Sequence, residues 1–175
     1  MDETIFIKLS DGVDKIVSYL CISLGILMTV TTLTGIMFRY VMTNPLPWTE
    51  ELARYSMIWM GLLAISMGVK RQEHLGVNLI VRLLPTIFQK ILQIMTRVLI
   101  AFFLIELIRY GYGMAVNGNS QIAPALQIPM SFVLSSVPVA ALVSLIQLFL
   151  ISFDEIQNMI SRGPDKEYRE KRRGI

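Results

Sequence analysis

The sequence predicts an all-α integral membrane protein: four transmembrane helices, with a short amphipathic surface helix between the second and third. Two uncharged runs carry that reading, Ile16–Phe38 and Ile128–Phe153. Each exceeds the roughly 20 apolar residues that a helix needs to cross a bilayer core. The composition agrees, since 54% of the 175 residues are hydrophobic and the mean hydropathy is +0.58. A soluble domain of this size is less apolar. The length suits one bundle and leaves no room for a second domain.

The elements follow in order. Residues 1–12 place Ile5, Phe6 and Leu9 in helical continuity with Val13 and Ile16, and read as an N-terminal interfacial segment. The mixed charges Asp2, Glu3, Lys8, Asp11, Asp14 and Lys15 do not resemble the basic start of a secretory signal, so the first apolar run is expected to be retained. The membrane domain spans 13–155. Its first helix, about 13–40, closes on Arg39 and Tyr40, a basic and aromatic pair suited to an interface. Asn44-Pro45-Leu46-Pro47 predicts a tight turn. Thr49 is then placed to cap a second helix, about 50–69, with Glu50 and Glu51 in its first turn.

Beyond Lys70 and Arg71, residues 74–84 put Leu75, Leu79, Ile80, Leu83 and Leu84 on one face and His74, Asn78 and Arg82 on the other. That pattern fits a helix lying on the membrane surface. The third helix, about 86–112, contains Arg97, Glu106 and Arg109, with the last two near its far end. A loop follows. Pro129 fits the first turn of the fourth helix, about 128–153, and Pro138 should kink it. A basic tail, 156–175, ends in REKRRGI.

The basic residues set the topology. With an even number of spans, both termini and the 2–3 connection share one side. Lys8, Lys15, Lys70, Arg71, Arg82, Lys90 and the basic tail lie there, whereas the opposite side has only Arg39 and Arg109. Cytoplasmic termini follow.

Several functions are disfavoured. One cysteine, Cys21, and one histidine, His74, leave no disulfide framework, thiolate metal site or bis-histidine haem within the chain. Cys21 reads as packing and His74 as an interfacial polar residue. No GxSxG, P-loop or histidine–carboxylate cluster supports an enzyme. The basic tail stands beside a membrane helix, so anionic lipid fits it better than nucleic acid. Arg82, Lys90 and Arg97 are placed to meet lipid headgroups.

The segment with the most chemistry is NPLPWTEELARYSMIWMG, Asn44–Gly61. Glu50 and Glu51 stand four and three residues before Arg54, spacings that allow a local ion pair. Such a pair lowers the cost of inserting Arg54. Glu50, Arg54, Met57, Gly61, Ala64 and Gly68 also form one stripe, whose small residues permit close helix approach in lipid. Ser136, Ala140 and Ser144 offer a matching seam on the fourth helix. Whether the partner of the first stripe is internal or another subunit stays open at this point. Glu106 and Arg109 read as a second self-pairing couple, with Arg54 within the reach of Glu106.

The run N-P-L-P-W-T-E-E-L-A-R-Y, followed by Trp59, Gly61 and V-K-R-Q-E-H-L-G-V, resembles the small membrane subunit of tripartite ATP-independent periplasmic (TRAP) transporters, the DctQ-like family. A-P-A-L-Q-I-P-M, Ala123–Met130, and the fourth helix with Pro138 extend the likeness over about Val13–Glu155. The resemblance implies a scaffold subunit in the bacterial inner membrane. It packs on a large membrane subunit, which carries sodium and performs uptake of an organic acid, and a periplasmic binding protein delivers the substrate. No cofactor is expected in the small subunit itself. Trp48, Glu50, Glu51, Arg54 and Trp59, with Gly61, Ala64 and Gly68, become candidates for holding the fold or the subunit contact. Arg39, Glu106 and Arg109 are secondary candidates. The alternative is an independent four-span transporter working as a homodimer. That class usually needs a carboxylate within its first span, and Ile16–Phe38 has none.

Overall fold

The computed structural model describes residues 3–71 and 86–161. Within them α1 runs Glu3–Tyr40, α2 Pro47–Arg71 and α3 Thr86–Asn117. A 3-10 turn follows at Gly118–Ser120, then the short α4, Ser131–Leu134, and α5, Ser136–Ser161. Among the described residues, four stretches are long and apolar enough to cross a membrane: Lys8–Tyr40, Pro47–Lys70, Ile94–Ser120 and Ser131–Phe153. The all-α membrane architecture is therefore present. The surface helix expected at 74–84, with His74 and Arg82, and the residues of the basic tail after Ser161 lie outside the described residues.

Helix boundaries follow the sequence reading at the start of the chain and depart from it toward the end. α1 is unbroken from Glu3 to Tyr40, with the helical continuity expected between the N-terminal segment and the first span. No proline or glycine pair interrupts it, and helix once nucleated propagates cheaply. The third helix starts at Thr86 as expected and runs on to Asn117, beyond residue 112. Glu106 therefore stands eleven residues before the end of α3 and not at its edge. The fourth helix starts at Ser131 and divides at Ser135. Pro129 stays outside it, in an antiparallel bridge with Ile122. Pro138 sits in the first turn of α5, where its missing N–H costs little.

α1 and α2 form an antiparallel hairpin. Cys21 Sγ donates to the Met60 carbonyl (3.7 Å), Ser18 Oγ lies 3.8 Å from Met67 Sδ, and Lys70 reaches back to Asp11. α5 packs on both helices, and α3 packs chiefly on α5. Three small clusters record the register: Tyr55 with Ala123 and Val133, then Val17 with Leu63 and Ala140, then Leu104 with Ala141 and Leu148. α2 and α5 thus run parallel. The α1–α2 turn and the α3–α5 connection share one end, the loop end; the start of α1 and the ends of α2 and α5 mark the terminal end.

Glycine decides how closely α1 approaches α2 at the loop end. A Cβ on Gly35 would stand 2.6 Å from Thr49 Oγ1 and 3.3 Å from Thr49 Cβ. Thr49 is almost wholly buried, and its hydroxyl donates to the Leu46 carbonyl at 2.7 Å. It fills this contact and is not the helix cap, because α2 begins two residues earlier at Pro47, a favoured first helical residue. Gly35→Val should therefore splay the hairpin and lower the thermal unfolding midpoint by about 4 °C or more, taking an overpacking cost of about 1–3 kcal/mol. An unchanged midpoint in a melting scan would contradict this close approach.

Candidate functional site

The loop end gathers most of the residues singled out from sequence, but pairs them differently. Glu50 does not turn toward Arg54. Its carboxylate meets the guanidinium of Arg39, across the hairpin from the last turn of α1. Both side chains are about half exposed, so the pair holds the hairpin only weakly by itself. Arg39 thus moves from a secondary position into the site.

Glu51 does something the helical spacing did not show. It is 8% exposed, and its Oε2 accepts backbone N–H groups from Ala125 at 3.0 Å and Leu126 at 2.6 Å. These amides belong to the A-P-A-L-Q-I-P-M motif, which folds as a compact turn. Ala123 N donates to the Ile128 carbonyl (2.9 Å), and Gln127 N donates to the Ala123 carbonyl (2.9 Å). Gln127 closes the turn in the left-handed region, with φ 54. Its side chain donates to the Pro124 carbonyl at 2.8 Å.

One helical turn along α2, Tyr55 supports the same loop. It packs on Ala123 and Val133, and its hydroxyl donates to Met130 Sδ at 3.4 Å. The two sequence motifs therefore form one structural unit: a carboxylate on α2 binds the amides of the α3–α5 connection. Charge-assisted hydrogen bonds of this kind contribute about 1.5–3 kcal/mol each. Trp59 continues the face, with its ring 5.8 Å from that of Phe132 on α4. Trp48 is 38% exposed at the start of α2.

Arg54 stands elsewhere. It is exposed, and among the described residues it forms neither an ion pair nor a hydrogen bond. Met57, Gly61 and Ala64 are exposed with it, and Gly68 is half-buried. A Cβ added at Gly61 or Gly68 would meet nothing within 4 Å. The stripe therefore covers the face of α2 turned away from α1 and α5. The small residues of α5 do the opposite: Ser136, Ala140 and Ser144 are buried, with Ala140 against Val17 and Leu63. The two stripes do not face each other, so the α2 seam has no helix packed on it among the described residues.

The Glu106–Arg109 couple is not formed. Glu106 stands well inside α3, offset around the helix from the Leu104, Leu107 and Ile108 side that packs on α5. Its Oε2 is buried and has no hydrogen-bond partner among the described residues. Arg109 lies over the ring of Tyr110, 5.8 Å from its centroid. Arg54 does not reach Glu106. Arg97 is half-buried, seven residues before Leu104 and so on the same side of α3 as the core contact. Lys90 occupies the first turns of α3.

Sequence reasoning missed a second ionic clasp at the terminal end. Lys70 Nζ binds Asp11 Oδ1 at 2.7 Å and Asp14 Oδ2 at 3.6 Å, and donates to the Ser10 carbonyl at 3.3 Å. The signal was available, because an antiparallel hairpin necessarily brings the start of α1 to the end of α2.

The fold is that of a four-span membrane protein whose charged α2 seam is uncovered among the described residues. The chain belongs to the family described as "Tripartite ATP-independent periplasmic transporters, DctQ component", which matches residues 28–158. It is 30% identical over 89 residues to a "Putative TRAP transporter small permease protein" of Haemophilus influenzae, covering 51% of this chain and 55% of that one. It is 27% identical over 107 residues to the "Sialic acid TRAP transporter permease protein SiaT" of the same species, covering 61% of this chain and 17% of SiaT. It is 28% identical over 91 residues to the "C4-dicarboxylate TRAP transporter small permease protein DctQ" of Vibrio cholerae, covering 52% and 39%. The chain thus spans about half, or less, of the length of these relatives. The family is a transport component and not a known enzyme class, and the chain is a multi-pass inner-membrane protein.

Proposed function

We propose that this chain is the small permease subunit of a TRAP transporter, acting as a scaffold for a separate large membrane subunit. The uncovered α2 stripe carries this reading. A guanidinium facing lipid is costly, about 2.5–3.5 kcal/mol near the bilayer centre and less toward the interface. Beside Arg54, the small residues Gly61, Ala64 and Gly68 leave a groove in which another helix can lie close. SiaT supports the reading, because a segment like this one makes up 17% of that longer permease. In this proposal the large subunit holds sodium and moves an organic acid, and the small subunit needs no cofactor. In this reading the termini are cytoplasmic, which the lysine and arginine distribution supports. The loop end then faces the periplasm, where Trp48 and the Arg39–Glu50 pair are accessible to a substrate-binding protein.

Co-expression with the neighbouring genes, followed by detergent pull-down, tests the proposal. The expected result is co-purification with a polytopic large subunit and no uptake by this chain alone in vesicles. Migration as a homodimer with full uptake activity would establish the alternative, an independent small transporter.

A further inference from the structure

We propose that the junction of α1, α2 and α5 at the terminal end is a binding site for structural water, which ties Gln147 of α5 to Ser10 and Asp14 of α1. The register places these groups together. Val17, Leu63 and Ala140 pack into one cluster. Ser10, Lys70 and Gln147 each stand seven residues, or two helical turns, further toward the terminal end on the same faces. α1 runs against α2 and α5, so moving back along α1 and forward along the other two reaches one level. The Lys70 contacts to Ser10, Asp11 and Asp14 fix that level for α1 and α2.

The layer is polar and closed. Gln147 is 0% exposed, and among the described residues neither its Nε2 nor its Oε1 has a hydrogen-bond partner. Ser10 Oγ and Asp14 Oδ1 are likewise buried and unpartnered. One turn toward the core, Ser66 and Ser144 are also buried. Their hydroxyls donate to Leu63 and Ala140 carbonyls at 2.8 Å, which leaves oxygen lone pairs free to accept. An amide side chain buried without partners costs several kcal/mol in an apolar medium. These groups do not reach one another directly, so a small molecule able to donate and accept must bridge them. A buried water typically makes about three such bonds. Gln147 Nε2 and Ser10 Oγ supply donors, and Asp14 Oδ1 and Gln147 Oε1 supply acceptors. A metal cation suits the layer poorly, because the Lys70 ammonium already supplies the positive charge facing Asp14.

The consequence is a three-helix tie: the Lys70 clasp joins α1 to α2, and water joins α5 to that clasp. Gln147→Leu in the full-length chain tests it. The melting midpoint is expected to fall by about 3–8 °C. In a Ser10→Ala background the same change should cost clearly less, since the bridge is already broken. An unchanged or raised midpoint overturns the proposal. If the variant does not fold, a high-resolution cryo-EM map of the wild-type assembly decides. A solvent peak within hydrogen-bonding distance of Gln147 and Asp14, retained when sodium chloride is replaced by choline chloride, supports water. No peak, or one lost without sodium, overturns it.

Discussion

Glu51→Ala should release the Ala123–Leu126 turn from α2 and lower the unfolding midpoint by about 6–12 °C, from a loss of about 3 kcal/mol. Two amides then lose their shared acceptor in a buried position. The effect should be local before it is global. In hydrogen–deuterium exchange, the amides of Ala125 and Leu126 should lose protection, while the Val17–Leu63–Ala140 layer keeps its own. Glu51→Gln retains an acceptor oxygen without the charge and should fall between wild type and alanine. Glu50→Ala removes only the half-exposed pair with Arg39 and should cost about 1 kcal/mol or less. Equal effects at positions 50 and 51 would show that the clasp is not as described.

The second large effect concerns assembly. Gly61→Leu should leave the isolated chain as stable as wild type, because Gly61 is exposed and a Cβ there would meet nothing within 4 Å. Recovery of the large subunit in pull-down should nonetheless fall by about tenfold, equivalent to about 1.4 kcal/mol. Arg54→Ala should reduce complex yield more than the substrate affinity of whatever complex remains. The control is Ala140→Leu on the other stripe. Ala140 is 3% exposed between Val17 and Leu63, so added bulk should destabilise the chain itself. A Gly61→Leu chain that assembles normally, or an Arg54→Ala complex with impaired sodium coupling, would place the contact elsewhere.

Four spans and their order were legible in the sequence, because an apolar run in lipid has one satisfactory backbone solution. Charge positions were legible too, but their partners were not. Helical spacing proposes neighbours three and four residues apart, so Glu50, Glu51 and Arg54 looked like one cluster. Their true partners lie across the fold: Arg39 is eleven residues from Glu50, and the amides are 74 and 75 residues from Glu51. A backbone amide carries no sequence signature as an anion receptor, so the role of Glu51 was hidden. The small-residue stripe was readable as a seam, yet its direction was not, since both sides of α2 carry small or apolar residues. Gln147 stood in plain view as a lone amide in an uncharged run, and burial alone gave it meaning.

The dependence of α3 on α5 bears on how the chain is made. Synthesis proceeds from the N-terminus, so the α1–α2 hairpin can close before α3 emerges from the ribosome. α3 follows with Glu106 inside it, while its main packing neighbour is still untranslated. It must enter the bilayer on its own hydrophobicity and wait there. Insertion of α5 then packs α3 against the hairpin, since α5 contacts α1, α2 and α3. Translation halted before Ser136 should leave an inserted hairpin and a stray helix, a ready substrate for membrane quality-control proteases.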